Sequence, residues 1–529
     1  MVLIGSDHSV KSVMIIYQVY PRSFFDSNND GIGDLSGIEQ RLEYIKSLGV
    51  DAIWISPFFK SPMKDFGYDV ADYRAVDPIF GTLDDFGKLM RRAEALGIGV
   101  IVDMVVSHTS EEHAWFKDSR ARRNARDDWY LWADPQPDGT PPNNWVSVFG
   151  GTAWRWDAER RQYYYHSFLS SQPDLNMHNP QVQDAVLAEM EYWLDLGVSG
   201  FRFDACNHIF QDPLLRNNPP REDSSKALHP YGFQVHVYDQ GRPENLAFLE
   251  RVRTLLDAYG AYSLAEVGGA DPLRLMGQYT APGRLHAAYS FALMRPDYGV
   301  PYLRDVITTL EQSVRDPGRP CYAMSNHDKA RVGSRWQFDR PYFETAKMHM
   351  VLLFAMRGDI CLYQGEELGL PEADVPFERL QDPFGKSFWP KFKGRDGSRT
   401  PMPWNACVHG GFSTAEPWLP LDARHLEMNV AQQENDADSM LRFTRALIAL
   451  RKSHPALAQG SIAWTDAPED VLAFRRRHEG HELVCLFNLG NAASSFAPGT
   501  EGKLVLAGNA AYRNGTAELG VSGFCLIEA

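Results

Sequence analysis

The feature that most restricts how this chain folds is a repeating alternation: a short apolar or β-branched run, a polar loop, then an amphipathic helical stretch. The runs are MIIYQVYP (14–21), AIWISPF (52–58), GVIVDMVVSH (99–108), GFRFDA (200–205), YSLAEV (262–267), a weaker one near Leu285–Leu293, CYAMSNHD (321–328) and ICLYQGEEL (360–368). Helical segments such as LSGIEQRLEYIKSLG (35–49) and DDFGKLMRRAEALG (84–97) separate them. Near-continuous apolar strands that alternate with helices mean parallel βα units with both sheet faces covered. Eight such units fit a closed (β/α)8 TIM barrel of the α/β class better than an open doubly wound sheet. No G-x-G-x-x-G opens a helix, which removes the main signal for dinucleotide binding.

A chain of 529 residues exceeds one hydrophobic core, so more than one domain is expected. Residues 109–176, rich in Trp, Tyr, Asn and Gly, are far too long for an ordinary βα loop and read as a small domain inserted after the third strand. The barrel then occupies 1–108 and 177–455, with an irregular excursion at about 370–425. After the helical stretch 438–454 the texture changes to short alternating strands with a hairpin at 471–489, so 456–529 is predicted as a C-terminal β-sandwich. With 53 basic and 68 acidic residues the net charge is −15, which argues against a nucleic-acid partner. Aromatics make up 12% of the chain, including 13 Trp, a supply that suits a sugar-binding cleft or a large core equally. Six scattered cysteines without a C-x-x-C pair read as buried thiols of a cytoplasmic protein. The opening residues lack a signal peptide's pattern, and no run reaches the roughly 18 apolar residues of a membrane span.

A βα barrel carries its active site at the C-terminal ends of the strands. Those ends hold Asp103 and His108, Arg202 and Asp204, Glu266, and His327 with Asp328. One acid at a strand end is ordinarily a cap or a loop charge. Three acids on separate strands, with Arg and His among them, are hard to explain that way.

The motifs DMVVSH (103–108), QPDLN (172–176), GFRFDA (200–205), AEV (265–267) and SNHD (325–328) resemble glycoside hydrolase family 13, the α-amylase family, in its α-glucosidase and oligo-1,6-glucosidase branch. YQVYPRSF (17–24), DFGYDVADYR (65–74), LYQGEELG (362–369) and GRDGSRTPMPW (394–404) extend the match. The resemblance implies a retaining mechanism, with Asp204 as nucleophile, Glu266 as general acid/base and Asp328 as transition-state stabiliser. Arg202, two residues from Asp204, lies on the same strand face and is expected to keep Asp204 ionised, whereas Glu266 needs a raised pKa. Asp65 and Arg399 resemble the pair that grips the terminal glucose, Tyr68 the ring that stacks on it, and His108 and His327 donors to its hydroxyls. Phe149 and Phe168 either wall the pocket or pack within the inserted domain. Ser107 departs from the Asn that the family commonly carries.

In DSNNDGIGDL, oxygen donors alternate at Asp26, Asn28, Asp30 and Asp34, with the Ile32 carbonyl between them. They resemble the first part of an EF-hand loop without its helices or its bidentate Glu. The family resemblance implies a structural Ca²⁺ there, with Mg²⁺ as the open alternative, and no organic cofactor. Ala205 follows the nucleophile. In this branch Ala or Thr accompanies α-1,4 cleavage and Val α-1,6, so maltose and short α-1,4-glucosides are the expected substrates. Segment 229–245 resembles glucosidases that pass glucose to hydroxyl acceptors. The alternatives are an α-1,6-specific oligo-glucosidase and a sucrose-active transglycosidase; a homodimer is the assembly considered, with the oligomeric state left open.

Overall fold

The computed structural model describes residues 13–225, 227 and 229–529. Most of the opening segment read for a signal peptide, residues 1–12, lies outside the described residues. Eight parallel strands close a barrel: β1 (Ile15–Val19), β2 (Ala52–Ile55), β3 (Gly99–Met104), β4 (Gly200–Phe203), β5 (Tyr262–Val267), β6 (Ala287–Ser290), β7 (Arg319–Tyr322) and β8 (Asp359–Tyr363). They pair in sequence order, and β8 returns to β1.

Strand periodicity explains why the runs look continuously apolar. Ile16, Trp54, Ile101, Leu264, Tyr289, Cys321 and Cys361 point inward and fill the barrel. Their neighbours Tyr17, Ile53, Val100, Val102, Phe201, Ala265 and Ile360 point outward, into the layer shared with the helices. Each large side chain buried this way contributes about 1.5–3 kcal/mol. The helix at Leu83–Ala95 is typical of the outer ring. Thr82 and Asp85 form a capping box at its start, and Phe86, Leu89 and Ala93 are its buried face. At the seam where the barrel closes, the hydroxyls of Tyr17 and Tyr44 both donate to Glu367 Oε1 at 2.7 Å. The Gly365 amide donates to Glu367 Oε2. Gly200 is required where β4 meets β5, because a Cβ there would lie 2.2 Å from the Tyr262 carbonyl oxygen.

Between β3 and β4 the chain forms a helix (Ala114–Arg120) and a three-stranded antiparallel sheet of Trp132–Ala133, Trp154–Asp157 and Gln162–Tyr165. Trp145, Trp154 and Tyr165 make its own small core. It rejoins the barrel beside His108, which bridges to Asp174. The C-terminal domain is an antiparallel six-stranded sheet spanning Ser461–Trp464 to Thr516–Glu528. Its alternation gives two apolar faces. Leu472, Phe474, Cys485 and Phe487 pack on the barrel layer. Val471, Ala473, Val484 and Leu486 pack against Ala517 and Leu519, with Phe496 and Tyr512 over them. Register shifts at Leu504/Leu506 and Gly508/Ala510 bend the terminal hairpin. The six cysteines are free thiols, all buried except Cys407. Among the described residues no helix is long and apolar enough to cross a membrane.

Candidate active site

Toward the C-terminal ends of the strands the inward positions turn polar: Gln18, Asp103, Arg202, Asp204 and Glu266. At their centre is Arg202, which is 0% exposed. Its Nη1 donates to Asp103 Oδ1 at 2.8 Å and to Asp204 Oδ1 at 2.7 Å, and its Nη2 donates to Glu266 Oε2 and to the Tyr289 hydroxyl. The register puts Arg202 beside Asp103 on one side and Leu264 on the other, so adjacent strands deliver the partners. Trp54 lies under the guanidinium at 4.7 Å. One fixed fork therefore holds Asp204 and Glu266 at its two ends and confines them to a guanidinium's span.

A single cation shared by three acids does not neutralise them. Burial pushes Asp204 up to about 7 against the pull of Arg202, and the Asp103 charge adds to the rise. Burial likewise lifts Glu266 to about 7, opposed by Arg202 and reinforced by Asp204. Asp103 rises to about 6 from burial. Arg202 thus favours ionised Asp204, as expected, while burial and the Asp103 charge oppose it. The acids titrate as one set, and burial favours retaining a proton within the Asp204–Glu266 pair.

Asp328 is different. Burial would raise it, but its surroundings hold it well below the usual carboxylate range. Arg399 Nη2 donates to Oδ1 at 2.8 Å, and Arg395 Nη1 reaches the same oxygen at 3.2 Å. His327 Nε2 is 3.3 Å from Oδ2, but burial pushes that imidazole down to about 3. The histidine is neutral, so the two arginines supply the positive charge. Tyr68 Oη is 2.6 Å from His327 Nε2 and donates to Asp103 Oδ2 at 3.0 Å.

The pairing of Asp65 with Arg399 is corrected by the structure. The guanidinium on Asp65 belongs to Arg395, whose Nη2 donates to Asp65 Oδ1 at 2.9 Å and to Asp382 Oδ1 at 2.8 Å. Arg399 instead donates from Nε to the His327 carbonyl at 2.6 Å and braces the loop that follows β7. Both arginines lie in GRDGSRTPMPW, and the short 3-10 turn Asp396–Ser398 between them decides which one faces Asp65. Gln172, from QPDLN, donates to the other Asp65 oxygen at 3.2 Å. Arg395, Asp382, Gln172 and Tyr289 are the site residues that sequence reasoning missed. Two of the four sat inside quoted motifs.

These groups open into a cavity of about 420 Å³ lined by Asp65, Tyr68, His108, Phe149, Phe168, Asp204, Glu266, Asp328 and Arg395, among others. This volume is within the usual range for small-molecule clefts. Phe149 and Phe168 both wall it, their rings 6.4 Å apart, and Phe168 also packs on His108 at 5.2 Å. Nε2 of His108 contacts the Tyr68 carbonyl and Gln172, and Nδ1 contacts Ser107 Oγ. Ala205 lines the cavity with a left-handed backbone, φ 41°. Tyr231, His236 and Gln240 complete the far wall, with Tyr231 stacked on His236 at 3.8 Å.

The Asp26–Asp34 loop lies apart from this cavity. Asp26 Oδ1 accepts from the Asn28 and Asn29 amides, Asn28 Oδ1 from Asp30 N–H, and Asp30 Oδ1 from Ile32 N–H. Such turns order a loop of hard oxygen donors whose chemistry fits a divalent cation. Asp34, by contrast, caps the helix Leu35–Gln40 through the Gly37 amide. Among the described residues no three His, Cys, Asp or Glu groups gather as a metal cluster.

The model of the alpha amylase catalytic domain matches residues 18–460. A probable alpha-glucosidase of Rhizobium meliloti (strain 1021) is 50% identical over 493 residues, covering 91% of this chain and 89% of that protein. An oligo-1,6-glucosidase of Heyndrickxia coagulans is 36% identical, with 94% and 95% covered. Among solved structures, an alpha-glucosyl transfer enzyme superposes with a TM-score of 0.96 at 51% identity, covering 99% of this chain and all of that one.

Proposed function

Because this chain belongs to the α-amylase family and is a glycoside hydrolase of its α-glucosidase group, we propose that it is a retaining, exo-acting α-glucosidase. It would release α-glucose from the non-reducing end of maltose and short α-1,4-glucosides and pass glucose to other hydroxyl acceptors. The observation that carries this reading is the sharing of Arg202 by Asp204 and Glu266 at one end of a sugar-sized cavity.

In this scheme the proton shared near neutrality resides on Glu266, which leaves Asp204 as the carboxylate. Asp204 attacks the anomeric carbon while Glu266 gives its proton to the departing glycosidic oxygen, and a β-glucosyl ester forms on Asp204. Glu266, now anionic, takes a proton from water as that oxygen attacks the same carbon. Asp204 leaves, and α-glucose is released with retention. An acceptor alcohol that replaces water gives transfer by the same step. Asp328, ionised beside Arg395 and Arg399, accepts hydrogen bonds from sugar hydroxyls that strengthen as positive charge develops on the ring. The buried Asp65–Arg395–Asp382 cluster walls the glucose end and favours exo-action.

Ala205 supports the α-1,4 assignment by leaving room beside Asp204. The likeness to an oligo-1,6-glucosidase favours α-1,6 cleavage as the second reading, and sucrose activity is a third. Initial rates on maltose, isomaltose and sucrose discriminate: faster turnover of isomaltose or sucrose removes the α-1,4 assignment. A chromogenic α-glucoside assayed with wild type and Asp204→Asn tests the mechanism. The variant keeps its fold and loses hydrolysis by several orders of magnitude. Equal rates, or β-glucose as first product, refute it. We further propose a structural Ca²⁺ at the Asp26–Asp34 loop and a cytoplasmic location, with a homodimer as the assembly to test.

A further inference from the structure

Lys329 follows Asp328 directly and lines the same cavity, yet the mechanism gives it no task. Its Nζ sits 4.5 Å over the ring of Phe291. The nearest carboxylates are already engaged. Asp328 takes Arg395, Arg399 and His327, and Glu266 takes Arg202 and the Tyr289 hydroxyl. Among the described residues no carboxylate forms an ion pair with the Lys329 ammonium. The Asp328 and Glu266 charges offset part of its desolvation, but with no carboxylate in contact an ammonium beside an aromatic face is a ready partner for an anion.

The position indicates which part of a substrate would reach it. Glu266 must touch the glycosidic oxygen, and Gly268, Gly269 and Ala270, which follow it along the chain, line the cavity with Phe291 and Lys329. In the glucosidase reading glucose fills the opposite end, against the paired Asp65 and Arg395. Arg221 adds a second positive charge to the lining, tied to the carbonyls of Gly232 and Gln234. We infer that Lys329 is a specificity residue of the aglycone and acceptor side, where its ammonium receives a carboxylate carried by the leaving group or by the acceptor alcohol. One ammonium matches one negative charge, and Phe291 beneath it accepts an aromatic or aliphatic carrier.

This inference rests on the α-glucosidase reading, and a matched pair of probes separates the two. 4-Carboxyphenyl and 4-carbamoylphenyl α-glucosides differ only in that charge at pH 7. Wild type is expected to show a KM about tenfold lower for the carboxylate, as for one charge-assisted contact, and added NaCl erodes the advantage. Lys329→Gln abolishes the preference, read as the ratio of the two KM values, and Lys329→Arg retains it. A ratio of one in wild type, or a preference unchanged in Lys329→Gln, overturns the inference and leaves the glucosidase reading intact. Calorimetric titration of Asp204→Asn with both glucosides reads the same preference without turnover. It therefore decides the role of Lys329 even if wild type hydrolyses neither probe, an outcome that sinks only the glucosidase reading.

Discussion

Replacing Glu266 by Gln should stabilise the protein at alkaline pH, and the size of the effect follows from the site. Glu266 titrates at about 7 in the fold against an ordinary 4.5, because it is buried and shares Arg202 with two other acids. A carboxyl raised on folding contributes stability at pH values below its unfolded pKa, and that contribution is lost as pH rises through the folded value. The gap corresponds to about 3 kcal/mol at pH well above 7. Since the proton is shared with Asp204, about 1–3 kcal/mol is the realistic gain for removing one charge. Gln keeps the side-chain volume, and Arg202 keeps Asp103 and Asp204. Thermal melts of wild type and Glu266→Gln at pH 8 and pH 5 make the test. The variant melts higher at pH 8, and the difference shrinks to under about 1 kcal/mol at pH 5. If Glu266→Gln melts at or below wild type at pH 8, the site does not hold excess negative charge, and the account of its proton is wrong.

Tyr289→Phe removes a hydroxyl that donates to ionised Glu266; its pH–rate profile should show the alkaline limb moved upward by about one pH unit, and an unmoved or lowered limb would contradict that. Gly200→Ala drives a methyl into the Tyr262 carbonyl, so denaturant unfolding should report a loss of about 1–3 kcal/mol, whereas a neutral result would mean that β4 and β5 lie further apart. Ala205→Val forces a β-branched residue to φ 41° at a cost of about 1–2 kcal/mol, and relative rates on maltose and isomaltose should shift toward isomaltose. Ca²⁺ at about 100 times its Kd should add about 2.7 kcal/mol over the protein in chelator; identical melting curves remove the cation from the Asp26–Asp34 loop.

The barrel was legible because parallel strands are written as contiguous apolar runs, and the strand-end acids because a period of two puts Asp204 and Arg202 on one face. β6 was the weakest run, since Ala287, Ala288 and Ser290 bring little bulk. Arg395 was missed in favour of Arg399 because three residues of irregular turn separate them, and no periodicity fixes which one turns toward Asp65. The forces opposing ionisation of Asp204 were not legible for a related reason. Sequence displays the neighbour two residues away, but not the Asp103 and Glu266 carboxylates that claim the same guanidinium from adjacent strands.

The seam at Glu367 bears on how the chain is made. β1 needs β8 on one flank and β2 on the other, so more than three hundred residues leave the ribosome before the first strand acquires its second neighbour. Until then the hydroxyls of Tyr17 and Tyr44 await an acceptor, and a row of backbone amides faces outward as a template for any passing strand. Closure is thus a late event in biosynthesis, and a truncation just short of the final barrel strand would leave a sticky ribbon rather than a smaller enzyme.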